Sequence, residues 1–193
     1  MTIAARIPLL LTVLRALLAP LIVVLAIFNP DPLVFGVCLS LGFMSDVFDG
    51  VIARRMGVAT PELRRLDSGA DTLFYVAATF AAWHLYPQVI KDNSIALVLL
   101  MVLELVRYAV DLAKFGREAS YHMWSSKAWG IVLFLAFFAL LAFGYTGRWV
   151  AMALYLGILA DIEGLAISFV LVEWKSDVPS ILHAIKSRGA IRT

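Results

Sequence analysis

The 193-residue sequence has little charge and almost no cysteine. Only 16% of its residues are charged, which is too few to cover the surface of a water-soluble globule. The single cysteine, Cys38, lies within an apolar run, so the chain has neither a disulfide framework nor a zinc-type cysteine cluster. The formal net charge of +2 is too small to indicate nucleic acid as a partner. A soluble nucleotide-binding domain is excluded by the same composition.

Apolar residues make up 62% of the chain, and the mean hydropathy is +0.91. A spanning helix needs roughly 20 apolar residues, so the length accommodates about six spans. We expect an all-α, polytopic membrane protein with six transmembrane helices in one bundle. The whole chain, residues 1–193, is then a single transmembrane domain with a cytoplasmic tail over residues 174–193. The expected spans are residues 7–28, 33–53, 66–90, 95–112, 129–145 and 149–172.

Basic residues are concentrated in two of the five connections between these segments. The second connection carries Arg54, Arg55, Arg64 and Arg65, and the fourth carries Lys114, Arg117 and Lys127. The positive-inside rule therefore places both termini in the cytoplasm. We expect a multi-pass protein of a bacterial cytoplasmic (inner) membrane, surrounded by membrane lipids. Residues 177–188 suit a short helix on the inner leaflet, or equally a frayed polar terminus.

Four aspartates fall where the chain should be in lipid. Asp46 and Asp49 are three residues apart, and Asp67 and Asp71 are four apart, so each pair occupies one face of its helix. Gly57 predicts the end of the first helix, and residues 60–62, Thr-Pro-Glu, predict the start of the second. The resulting tight antiparallel hairpin brings the two pairs to matching depths.

Converging carboxylates repel one another strongly in a low dielectric unless a cation neutralises them. All-carboxylate ligation favours magnesium or manganese over zinc or copper, and four such ligands suit a two-ion cluster that binds a diphosphate. The alternative is a set of interfacial acids paired with the arginines of the loop. Gly50 and Ala53 extend the first acidic face, where small residues leave room for a flat ligand or for a closely packed helix.

The run D-x-x-D-G-x-x-A-R at residues 46–54, followed by Asp67 and Asp71, resembles the motif of the CDP-alcohol phosphotransferase family. The motif segment is residues 46–71, and Leu63 stands where the family has its second glycine. The first span supports the resemblance through Ile7-Pro8 and the run from Leu11 to Arg15, although Leu9 replaces the usual asparagine.

This resemblance implies a membrane enzyme, usually a homodimer. It would move a substituted phosphoryl group from a CDP-linked lipid donor, such as CDP-diacylglycerol, to an alcohol or alcohol-phosphate acceptor and release CMP. It further implies that two Mg²⁺ or Mn²⁺ ions are ligated by Asp46, Asp49, Asp67 and Asp71. Asp71 would also be the general base, and the nucleotide site would be lined by Gly50, Ala53 and Arg54.

The fourth span carries Glu104, Arg107 and Asp111 at spacings of three and four, as in an internally paired ion ladder. The functional alternative is a cationic pocket for an acceptor phosphate. That pocket would comprise Arg107, Lys114, Arg117 and Lys127. Three intramembrane charges have no assigned partner: Arg15, Asp161 and Glu163. They pair with one another across the bundle, or Arg15 neutralises the donor's diphosphate.

Two other function classes also place acidic side chains within the membrane. Intramembrane prenyltransferases also hold a diphosphate on aspartate-rich helices, but they need two such motifs on separate helix pairs, and this chain has one. A divalent-cation carrier would use the acids as a transit site, but no repeated halves are visible. A degenerate family member without transferase activity is the remaining alternative.

Overall fold

The computed structural model describes residues 7–57, 60–118 and 121–190, and these contain helices and no strand. The eight helices are α1 (Ile7–Phe28), α2 (Pro32–Met56), α3 (Pro61–Leu85), α4 (Pro87–Asp92), α5 (Ser94–Phe115), α6 (Trp124–Phe143), α7 (Trp149–Val170) and α8 (Ile181–Ala190). Four of them are long and apolar enough to cross a membrane: α1, α2, α6 and α7. The all-α membrane class predicted from composition is confirmed, whereas α3 and α5 do not meet this test.

Most helix boundaries follow the signals in the sequence. Gly57 has a φ of +66°, which glycine adopts without strain, and it ends α2. The Thr60 hydroxyl accepts a hydrogen bond from the backbone N–H of Leu63 at 3.2 Å and caps the start of α3. In the first connection, the Asp31 carboxylate accepts bonds from the N–H groups of Leu33 and Val34. The predicted end of the first acidic helix at Gly57 and the predicted start of the second at Thr60 are confirmed.

Three segments differ from the sequence prediction. The expected continuous span over residues 66–90 is divided at Tyr86, because proline at position 87 lacks an N–H and disfavours helical geometry in the residue before it. The fifth long helix begins at Trp124 and not at residue 129. The predicted C-terminal helix is present, but it begins at Ile181, after Ser180.

The helices form two compact units. The first unit takes in the described residues of Met1–Ile90 together with Phe137–Thr146. Within it α1 packs against both α2 and α3, while α2 and α3 contact each other at few positions. The buried face of α1 recurs every three or four residues, and that of α3 consists largely of alanines, which allow close helix packing. The hairpin of α2 and α3 is therefore held together largely through α1.

One direct contact between α2 and α3 is very close. A Cβ atom on Gly42 would lie 2.3 Å from Cζ of Phe74, whose ring is buried. Gly42 is one helical turn before Asp46, so this contact lies beside the first acidic pair.

The second unit takes in Lys91–Ala136 and the described residues of Gly147–Thr193. Here α5 and α8 pack against α7. Gly157 and Gly164 lie on α7, and a Cβ on the former would lie 2.7 Å from Nε1 of Trp129. A Cβ on Gly164 would lie 2.9 Å from Cδ of Arg107. Small residues on α7 thus make room for large side chains from its neighbours.

We expect Gly42→Ala to destabilise the protein by about 1–3 kcal/mol, because the added methyl overlaps a buried ring that has little room to move. Thermal unfolding of the detergent-purified full chain measures this change. Gly69→Ala is the matched control, since nothing lies within 4 Å of its Cβ position and alanine is the better helix former. An equal midpoint for the two variants would contradict the close contact.

Candidate active site

The first unit has a buried arginine at its centre. Arg15 is 1% exposed and lies on the buried face of α1, between Thr12 and Ala19. A guanidinium without water must be matched by acceptors, because burying an unpaired charge is very costly. In this chain the acceptors come from both of the neighbouring helices, α2 and α3.

All four motif aspartates form ion pairs with Arg15. Its Nη1 atom lies 3.3 Å from Oδ1 of Asp46 and 3.1 Å from Oδ1 of Asp67, and it also contacts Oδ1 of Asp71. Its Nη2 atom contacts Oδ2 of Asp49. The two acidic faces therefore converge, as the spacing predicted, and they converge on a side chain from a third helix.

A hydroxyl fixes the remaining edge of the guanidinium. Arg15 Nε donates to Ser45 Oγ at 3.3 Å, and that hydroxyl in turn donates to the carbonyl of Gly42 at 2.7 Å. Ser45 is 2% exposed, so the chain of hydrogen bonds lies inside the unit. Serine directly before the motif thus orients the arginine, a role that the motif spacing alone did not indicate.

The four carboxylates differ in their access to solvent or ligand. The Asp49 side chain is 4% exposed, whereas those of Asp46, Asp67 and Asp71 are 41%, 31% and 33% exposed. One acid is thus buried, and three are partly exposed, so a ligand can reach carboxylate oxygens of the cluster.

Three of the acids are close enough to share one metal ion. Asp46, Asp49 and Asp67 each offer a carboxylate oxygen, and these atoms lie within 4.8 Å of one another. A donor set made only of carboxylate oxygens fits a hard divalent ion such as Mg²⁺ or Mn²⁺. The residues present therefore fit the metal that the sequence predicted, and Asp71 as a further ligand stays a prediction.

The structural alternative was pairing of these acids with arginines of the connection. Among the described side chains the aspartates pair with Arg15, while Arg55 and Arg65 are exposed. Of the residues predicted to line the nucleotide site, Ala53 is buried and Gly50 is half-buried. The side chain of Arg54, the third, lies outside the described part of the chain. These three assignments stay predictions.

In the second unit, the predicted ion ladder on α5 is replaced by contacts with α7. Arg107 Nη1 lies 3.2 Å from Oδ1 of Asp161, and Asp161 is buried. Asp111 is also buried, and its Oδ1 accepts hydrogen bonds from the hydroxyls of Ser168 at 2.6 Å and Tyr121 at 3.2 Å. Burial, aided by the Asp111 charge, raises the pKa of Tyr121 to about 12, so this phenol stays neutral.

The other residues of the predicted acceptor pocket contact carbonyls or aromatic rings. Lys114 Nζ donates to the carbonyls of Ser168 and Leu171 at 2.8 and 2.7 Å, at the C-terminal end of α7. Arg117 lies over the Trp174 ring, and Lys127 lies over the ring of Trp124. Glu163 accepts from the Ser125 hydroxyl and from the N–H of Ile181. Acceptor binding by this basic set stays a prediction.

The sequence is compatible with two partners for Arg15, the acids of α7 or the donor's diphosphate. The structure gives Arg15 the four motif aspartates and gives Asp161 to Arg107. A signal was present in the sequence. Residues 8, 12, 15, 19, 22 and 26 share one face of α1, so Arg15 lies in the middle of a face that packs against other helices.

The sequence matches the CDP-alcohol phosphatidyltransferase family over residues 5–161, a range that includes Arg15 and all four aspartates. No curated protein and no solved structure matches the chain. The family transfers phosphatidyl groups from a CDP-alcohol and uses divalent metal, which agrees with an acidic cluster able to hold such an ion. The resemblance read from the aspartate spacing is confirmed, and the chain belongs to the CDP-alcohol phosphatidyltransferase family.

Proposed function

We propose that this protein is an integral-membrane transferase that moves the phosphatidyl group of CDP-diacylglycerol to an alcohol and releases CMP, as a step of phospholipid biosynthesis. The observation that carries the proposal is the convergence of four motif carboxylates from two helices, three of them within 4.8 Å. The match to the family over most of the chain supports it.

The proposed reaction is a displacement at phosphorus. The hydroxyl oxygen of the acceptor attacks the phosphorus that bears diacylglycerol, and a new P–O bond forms there. The bond from that phosphorus to the CMP oxygen breaks, so CMP leaves with the bonding electrons. The hydroxyl proton passes to the carboxylate of Asp71, which acts as general base. Asp71 suits this role because one third of its side chain is exposed and an incoming alcohol can reach it.

Asp46, Asp49, Asp67 and Asp71 would hold two Mg²⁺ or Mn²⁺ ions. The chemistry that such ions supply is neutralisation of the diphosphate charge, which favours attack and stabilises the leaving group. Asp49 is the buried member of the set, and its lack of solvent contact fixes its carboxylate in one position. Gly50, Ala53 and Arg54 follow on the same helix and would line the nucleotide site.

The proposed enzyme works as one transmembrane domain with six spans. The two further spans are α3 and α5, which are as long as the four apolar helices. α3 carries Asp67 and Asp71, and α5 carries the buried Asp111. With both termini in the cytoplasm, the connections rich in arginine and lysine face the cytosolic side of a bacterial inner membrane. Family likeness favours a homodimer.

A phosphate on the acceptor would be bound by the basic set of the second unit. Arg107 is the member best suited to this, because its side chain is 24% exposed and Asp161 holds one end of its guanidinium. Lys114, Arg117 and Lys127 would add positive charge around it.

The first test measures CMP release by the purified full chain supplied with CDP-diacylglycerol, Mg²⁺ or Mn²⁺ and a panel of alcohols. We expect metal-dependent CMP release with at least one acceptor, and a rate lower by about 10²-fold or more in Asp71→Asn, which cannot accept the proton. Asp177→Asn is the matched control, because it makes the same chemical change in the second unit and asparagine tolerates its φ of 56°.

Two outcomes contradict the transferase. If vesicles containing the protein take up Mn²⁺ across their membrane and no acceptor gives CMP release, the protein is the cation carrier. If the protein binds Mn²⁺ but neither transports it nor releases CMP, the protein is a degenerate family member. If the Asp71→Asn variant is as active as the wild type, Asp71 is not the general base.

The second test concerns the acceptor. We expect the double variant Arg107→Met with Asp161→Asn to raise the KM for a phosphate-bearing alcohol about tenfold or more, because charge-assisted hydrogen bonds are lost. Removing both partners avoids an unpaired buried charge. The KM for CDP-diacylglycerol should not change. Arg148→Gln, an exposed arginine at the start of α7, is the control. An unchanged acceptor KM would eliminate Arg107 from the acceptor site.

A further inference from the structure

We propose that Arg15 is a positioning residue that serves as a built-in cation: it holds the four carboxylates together before a divalent ion binds, and it competes with that ion for them. This inference rests on the proposed function, because it concerns the metal site of the transferase. It adds a residue on α1 to a site whose recognised motif lies on α2 and α3.

The guanidinium of Arg15 lies between the acids of α2 and those of α3. Among the side chains that the structure describes, Arg15 is the largest with almost no exposed surface, and its ion pairs reach acids on both neighbouring helices. The carboxylates of Asp49 on α2 and Asp71 on α3 are bound by different nitrogens of the same group. A single planar cation therefore joins the two acidic faces, which otherwise repel each other.

Nη1 of Arg15 has too few N–H donors for the carboxylate oxygens that it faces. Nη1 has two hydrogens, yet it faces carboxylate oxygens from Asp46, Asp67 and Asp71. Among the described side chains, one positive charge pairs with four carboxylates, so this set has an excess of negative charge when all are ionised. Arginine alone therefore assembles the cluster but leaves it undercompensated, and the remaining oxygens attract a further cation.

Arg15 and a divalent ion compete for the same carboxylates. The oxygens of Asp46, Asp49 and Asp67 that lie close enough to share an ion belong to carboxylates that also pair with Arg15. A divalent ion bound there lies beside a like charge, which weakens its binding unless the guanidinium gives up some of these contacts. Ser45 provides an uncharged acceptor that keeps Nε in place during such a shift.

Two variants separate charge from shape. Arg15→Gln removes the positive charge, and Arg15→Lys keeps the charge but replaces the planar donor fork with one nitrogen. Mn²⁺ binding to the detergent-purified full chain is followed by electron paramagnetic resonance, which counts free Mn²⁺. Thermal unfolding is measured in EDTA and in saturating Mn²⁺. Asp49→Asn serves as the loss-of-site control and Arg148→Gln as the matched arginine control.

We expect Arg15→Gln to bind Mn²⁺ about tenfold more tightly than the wild type, because the competing charge is gone. Arg15→Lys should bind it within about threefold of the wild type, because a positive charge remains. Both variants should unfold at lower temperature than the wild type in EDTA, and Mn²⁺ should raise the midpoint of Arg15→Gln more than it raises that of the wild type.

The possible failures are distinguishable. If the wild type binds Mn²⁺ but Arg15→Gln binds it equally or more weakly, Arg15 does not compete and the inference is overturned. If Arg15→Gln does not fold, Arg15→Lys decides: a midpoint in EDTA equal to that of the wild type shows that the guanidinium does not hold the carboxylates together, and this overturns the inference. If the wild type itself binds no Mn²⁺, the proposed metal site fails and the inference fails with it.

Discussion

The mutual repulsion of four carboxylates in a poorly solvated helix unit is the constraint on which the rest of the structure depends. Asp49 is almost completely buried, and its three neighbours are partly exposed. Such a group persists only where cations offset its charge. Arg15 supplies one positive charge from α1, and its contacts explain why that helix packs between two helices that touch each other little.

Close packing delivers the acids to one place. The alanines of α3 and Gly42 of α2 remove side-chain bulk where the helices approach, and the ring of Phe74 fills the space that a larger residue at position 42 would need. Ser45 connects the same part of α2 to Arg15. The catalytic potential of the cluster is therefore a consequence of small residues as much as of charged ones. In the second unit, Gly164 serves Arg107 in the same way.

Much of this could be read from the sequence because the relevant signals are local. The spacing of Asp46 and Asp49, the glycine stop at position 57 and the Thr60 cap depend on nearby residues, and the structure confirms these helix boundaries and the convergence. The pairing of Arg15 was left open because it joins residues up to 56 positions apart. The replacement of the α5 ladder by Asp161 and Ser168 is likewise a tertiary effect, since spacing on one helix cannot show which other helix faces it.

The account rests on the claim that the aspartates of α2 and α3 hold a divalent ion in place of some of their contacts with Arg15. An anomalous difference map from crystals of the Mn²⁺-loaded protein, recorded at the manganese edge, tests this most directly. It should show a peak about 2.1–2.2 Å from carboxylate oxygens of Asp46, Asp49 and Asp67, with the guanidinium withdrawn from at least one of them. A map with no peak there and with Arg15 still paired to all four aspartates would contradict the account.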